Sequence, residues 1–177
     1  MNYLEKTIEG KTICFGGSCT LQDLNLKEIF SRKNKVYAPD HPDDSKNFHE
    51  IAAEVITADL FFLSANTISE NGEIVNMDAT GNSLSSSLFG HQKIYYVVST
   101  SKIEENLDKA IWRARNIAAS ANCRRLNLKT PRNMKGDGCH DCRSPYKICA
   151  KMSISFRAGN GQLQEIILFN EPYGFYK

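Results

Sequence analysis

No apolar run in the 177 residues approaches the ~20 needed to cross a bilayer. Residues 1–11 are polar and lack the apolar core of a secretory leader, so a cytoplasmic home is expected. Neither sign of charge is in excess. With 22 basic and 20 acidic residues the net charge is +2, and no overall field recruits nucleic acid or an anionic membrane. Internal repeats, low-complexity tracts and flexible linkers are missing, which points to one domain over residues 1–177. There is no GxSxG elbow, no P-loop and no GxGxxG, so the common nucleophile and nucleotide signatures are excluded.

What is present is an alternation of short β-branched or aromatic runs with stretches of helical spacing, the pattern of a mostly parallel sheet covered by helices on both faces. Residues 11–15 read as a strand stopped by Gly16-Gly17, with Thr20 capping a helix over residues 21–30. Residues 36–38 read as a second strand, closed by Pro39. Residues 48–58 space Phe48, Ile51, Ala52, Val55 and Ile56 as a helix. Residues 59–65, DLFFLSA, form a strand apolar enough to be buried on both faces. Asn71-Gly72 between apolar positions signals a hairpin, and residues 81–89 suit a short helix. KIYYVVS at 93–99 is another buried strand, and a long helix over residues 104–119 is expected to turn Trp112 into the core. Residues 126–150 carry little periodicity. Residues 151–156 and 163–169 are expected to pair through Gly159-Asn160-Gly161 as an antiparallel edge.

Two constellations carry chemistry. In Gly16-Gly17-Ser18-Cys19-Thr20 the adjacent glycines let backbone N–H groups face a guest, and the following helix start favours an anion. Cys19, beside that start, is a candidate nucleophile. The second constellation gathers Asn66, Glu70, Asn76, Asp78, Gly81 and Asn82 at the exit of a buried strand. Ligand contacts are expected from Gly16, Gly17, Ser18, Thr20, Asn66, Asn76, Asp78, Gly81 and Asn82. Glu70, Asp78 and Cys19 are the candidates for catalysis. Turn residues bonding their own backbone are the alternative reading of the same positions.

FGGSCTL, the block ADLFFLSANTISENGEIVNMDATGNSLSSSLFGHQKIYYVVSTSKI, RNIAASANCRRLNLKTPR and GCHDCRSPYKIC together resemble the LUD, or lactate-utilisation, domain family across residues 13 to about 174. The resemblance implies a fold like the glucosamine-phosphate deaminase, ribose-phosphate isomerase and CoA-transferase group: a Rossmann-like sheet with a small antiparallel part. It also implies an anionic guest, phosphorylated or carboxylated, across residues 16–20 and 66–82. Fold-level analogy does not name a reaction. Some LUD proteins are encoded beside iron–sulfur and flavin subunits that oxidise lactate, so an accessory subunit docking such a partner is the competing expectation. Relative to longer members an N-terminal helical region is missing, which leaves the site more open or leaves a homodimer to cover it.

Six cysteines in a reducing compartment read as thiols or metal ligands. Cys139, Cys142 and Cys149 give C-x2-C-x6-C, a spacing for zinc or part of an iron–sulfur cluster once a fourth ligand is supplied by Cys123, Cys19, His140 or solvent. Packing thiols and a redox-sensing loop are the alternatives. Similar family members carry a cysteine where this chain has Arg132. The basic run Arg113, Arg115, Arg124, Arg125, Lys129, Arg132 and Lys135 reads mainly as a solvated face, with neutralisation of an anionic ligand or partner as the alternative, and His41, His49 and His91 as surface or capping residues.

Overall fold

The computed structural model describes residues 2–37, 50–51, 55–171 and 173. Its main sheet has five strands, β1 (Thr12–Phe15), β2 (Lys35–Tyr37), β3 (Leu60–Leu63), β6 (Lys93–Ser99) and β9 (Leu163–Phe169). All pair in parallel, in the order β2-β1-β3-β6-β9. A second sheet, in the order β7-β4-β5-β8, contains β4 (Thr67–Ser69), β5 (Ile74–Asp78), β7 (Ile103–Glu104) and β8 (Lys151–Ser155). This is the α/β class expected from the alternating runs.

Side chains alternate across a strand with period two, and the central strands divide their apolar residues between two cores accordingly. Cys14, Phe61, Leu63, Ile94, Tyr96 and Val98 pack on one face with Ile51 and Val55. Ile13, Phe15, Phe62, Tyr95 and Val97 pack on the other against α1 (Asn2–Thr7), α2 (Cys19–Asp23) and α3 (Leu26–Ser31), through Leu4, Leu21, Leu26 and Phe30. Phe62 anchors that second face, its ring 4.6 Å from Tyr95, 5.0 Å from Phe30 and 5.3 Å from Phe15. Full burial of a side chain this size contributes roughly 1.5–3 kcal/mol.

The order of strands positions the site. From β1 the chain steps to β2 on one side and then crosses to β3 on the other, so a crevice opens between the C-terminal ends of β1 and β3, where open α/β sheets take their ligands. Those ends lead into Gly16 and Ser64.

Several expectations change. Strands β8 and β9 do not pair with each other: β8 runs antiparallel to β5 in the second sheet, and β9 runs parallel to β6 in the first. The glycine-rich link between them therefore switches sheets. The helix after Gly17 breaks at Leu24-Asn25, where Asn25 takes φ 51°, and Ser18 rather than Thr20 caps it, accepting from Leu21 N at 3.4 Å. Thr20 is buried instead. The long helix starts at Leu107 behind the Asn106 cap and runs as α5 (Leu107–Arg113), a π-helical turn (Ala114–Ala118) and α6 (Ala119–Arg125). Its seam is Leu107, Ala110, Ile111 and Ala114 against Val75, Met77 and Ile154, which leaves Trp112 60% exposed.

Within residues 126–150 lies α7 (Pro131–Lys135), begun by a proline at its first turn. Arg113 and Arg132 are buried, not solvated. His91 is buried too, with Nδ1 2.7 Å from the Ala58 carbonyl and its ring stacked on Phe61; burial pulls its pKa down against that bond. The turn at Pro39, His41, Phe48, His49 and Ala52 lie outside the described residues. Among the described residues no helix is long and apolar enough to cross a membrane.

Candidate functional site

Three strand ends converge on one cavity of about 530 Å³. The turn after β1 supplies Gly16, Gly17, Ser18, Cys19 and Thr20; the exit of β3 supplies Ser64, Ala65 and Asn66; β5 and its loop supply Asn76, Asp78 and Asn82. Every one of these that the sequence nominated lines the same space. Gly16 has room for no side chain: a Cβ there would sit 3.1 Å from Phe61 and 3.3 Å from Leu63. Its N–H bonds the Phe62 carbonyl at 2.8 Å, which stitches the turn to β3.

Asn66 and Asn76 act structurally as well. Asn66 N donates to Asn76 Oδ1 at 2.8 Å, and Asn66 Oδ1 accepts from Met77 N at 2.6 Å. Asp78 closes the next loop, accepting from Thr80 N at 3.0 Å and from Ser83 N, in the first turn of α4 (Asn82–Leu88), at 3.1 Å; Gly81 is the N-cap residue of that helix. Both carboxylate oxygens of Asp78 are thus engaged by backbone N–H groups, which gives this candidate a loop-closing role. Gly81, at φ 97°, shapes this loop without lining the cavity. Glu70 is not at the site: it is exposed on the β4–β5 hairpin turn, where its N–H bonds the Glu104 carbonyl.

The residue that sequence reasoning missed is Lys102. It lies in a 3-10 turn (Thr100–Lys102) after β6, is 6% exposed, and lines the cavity. Its Nζ donates to Thr20 Oγ1 at 3.0 Å and to Ser64 Oγ at 2.9 Å. Burial, aided by the nearby Arg113 guanidinium and opposed by Cys19, pulls its pKa down to about 8. Arg113 donates to the Asn66 carbonyl at 2.8 Å and the Ser101 carbonyl at 3.1 Å, and pairs with Glu104 at 3.2 Å. Arg125 lines the same space. The signal available in the sequence was a lysine directly following a buried strand in STSKI, which reads equally well as a solvated turn.

Cys139, Cys142 and Cys149 face a separate cavity of about 220 Å³ with Arg115, Arg132 and Lys147. Guanidinium groups occupy the surroundings a cation would need: Arg115 Nη2 donates to Cys139 Sγ at 3.5 Å and Arg132 Nη2 to Cys149 Sγ at 3.6 Å. Burial pushes the Cys139 thiol up, but the Asp141 N–H and the Arg115 and Arg132 charges outweigh it and hold it below the ordinary thiol value. Of the suggested fourth ligands, Cys123 is buried, Cys19 lines the other cavity and His140 bonds Asp137 at 2.6 Å. Among the described residues no three His, Cys, Asp or Glu side chains gather as a metal site.

The model of the LUD domain family matches residues 1–168. The chain belongs to the LUD domain family. No curated protein matches it. Among solved structures, a DUF162 family protein from Deinococcus radiodurans is similar to this LUD domain at 12% identity, with 90% of this chain and 88% of that one covered and a TM-score of 0.43. eIF2B delta from Chaetomium thermophilum is 15% identical over 62% of this chain and 48% of its own, with a TM-score of 0.38. Ribose 5-phosphate isomerase from Plasmodium falciparum is 13% identical over 59% of this chain and 50% of its own, with a TM-score of 0.35. The LUD domain thus spans about half the length of each of the latter two.

Proposed function

We propose that this LUD domain binds a small anionic metabolite, carboxylated or phosphorylated, of lactate or related organic-acid metabolism, in the cavity between residues 16–20 and 66–82. The observation that carries the reading is the Lys102 ammonium, buried at a cavity large enough for such a guest. A buried cation is costly in an apolar setting, and an anion in the cavity offsets that cost. Arg125 adds to the positive potential, and Asp78, already engaged by two N–H groups, is the acid among the described residues lining the space. The Ser18 hydroxyl and the NH2 groups of Asn66 and Asn76, all on residues lining the cavity, supply donors without adding charge.

Thermal unfolding with lactate, phosphate, sugar phosphates and CoA esters tests this. A true ligand at a hundredfold excess over its Kd stabilises by about 2.7 kcal/mol, or about 5–10 °C in Tm for a domain of this size. Gly17→Val, which puts a branched side chain on an exposed position of the cavity wall, is expected to abolish the shift while the far-ultraviolet circular dichroism stays that of the parent. No shift with any of these anions, or equal shifts in parent and variant, overturns the reading.

A further inference from the structure

We propose that the Lys102 amine forms a reversible imine with a small 2-oxo acid bound in this cavity. The inference rests on the anion-binding reading above and names the guest's reactive group. Lys102 is held from both ends. Its carbonyl accepts from Thr67 Oγ1 at 3.0 Å, and the next residue begins β7, paired with β4. Its Nζ lies between two hydroxyls, Thr20 Oγ1 and Ser64 Oγ, which come from different strand ends. An amine so placed has a fixed direction of approach, and two hydroxyls beside it can pass protons in either direction.

The nucleophile must be the neutral amine. Burial and the Arg113 charge disfavour the ammonium, and with a pKa of about 8 roughly a tenth is neutral at pH 7, against roughly one in three thousand for a solvated lysine. The guest must then combine a carbonyl with an anionic group. The amide NH2 groups of Asn66 and Asn76 and the Arg125 guanidinium, all at the cavity wall, suit a carboxylate adjacent to that carbonyl.

The step balances with water as the sole co-product. The Nζ lone pair attacks the keto carbon, and the carbonyl oxygen takes up a proton while nitrogen gives one up, yielding a carbinolamine. Its hydroxyl leaves with a second proton as water, and the C=N bond forms. Hydrolysis reverses the sequence. No oxidant or reductant is consumed.

Reductive trapping decides the matter. The full chain is incubated at pH 8 with pyruvate, glyoxylate or 2-oxobutyrate, reduced with borohydride, and examined by intact mass and peptide mapping. Lactate and inorganic phosphate, which have no ketone, are run beside them by thermal shift. We expect one reduced oxo acid per chain, mapped to Lys102, absent from Lys102→Arg and Lys102→Met. Adducts spread over surface lysines, or none with any of the three oxo acids, overturn the proposal. If lactate or phosphate stabilises the protein while nothing is trapped at Lys102, the imine fails and the anion reading stands. If no anion stabilises and nothing is trapped, both fall. Mapping on the parent protein decides the question even where a variant does not fold.

Discussion

Asn66 and Asn76 fix each other's amide orientation: the backbone N–H of Asn66 donates to Asn76 Oδ1, and the Asn66 side-chain oxygen accepts from the N–H that follows Asn76. A backbone N–H only donates, so the acceptor in each bond must be oxygen, and each NH2 group is left for the cavity. Asn76→Leu leaves the Asn66 N–H without its acceptor. The expected loss is about 1–3 kcal/mol in denaturant unfolding, together with loss of ligand-induced stabilisation. An unchanged midpoint contradicts this role.

Lys102 gives the fold a pH signature. Its folded pKa of about 8 lies below the ordinary lysine value of 10.5, so between those values the unfolded chain binds a proton that the folded chain does not. Stability therefore rises with pH across that window, and below pH 8 the cost of the buried charge is present in full. Relative to Lys102→Met, the parent is expected to gain about 3 kcal/mol between pH 8 and 10.5. Parallel stability curves for parent and variant would show that Lys102 titrates normally.

Close packing around Gly16 contrasts with the open space at Gly159. A methyl at Gly16 meets the Phe61 ring and Leu63 Cβ, whereas nothing lies within 4 Å of the Cβ position at Gly159. Gly16→Ala is expected to cost about 1–3 kcal/mol, and Gly159→Ala to stay within about 0.5 kcal/mol of the parent. Thermal unfolding of the two variants side by side checks the difference.

The two acidic candidates are expected to behave differently from each other and from catalytic groups. Asp78→Ala removes the acceptor of the Thr80 and Ser83 N–H groups and is expected to cost about 1 kcal/mol, with anion affinity unchanged or improved because a negative charge leaves the wall. Glu70→Gln, exposed on a hairpin turn, is expected to change neither quantity. Calorimetric titration of both variants reads the affinities, and a large loss of binding in Glu70→Gln would place the guest elsewhere.

The buried strands were legible because continuous apolar runs such as DLFFLSA and KIYYVVS exceed what a half-exposed strand carries, and both glycine turns announced themselves. The pairing of residues 151–156 and 163–169 was not legible. Strand-turn-strand spacing specifies two strands and a turn, but not whether each strand finds a better neighbour, and β5 and β6 both offered open edges. Trp112 was misplaced because the helix turns its aliphatic seam of Leu107, Ala110, Ile111 and Ala114 to the second sheet, which leaves Trp112 outside it. In the site, residues whose type signals chemistry were found. Lys102 was not, and Arg113 was read mainly as solvated, since a cation becomes informative only when its burial and its neighbours are known.

The most direct test of the anion-binding account is a crystal structure of the LUD domain soaked with the anion that stabilises it most. The account predicts density between Gly17 and Asn76, with the guest's charged oxygens turned toward Lys102 Nζ, and no such density in Lys102→Met. Density at a distant surface, or an anion bound in the cavity as tightly without Lys102 as with it, would contradict the account.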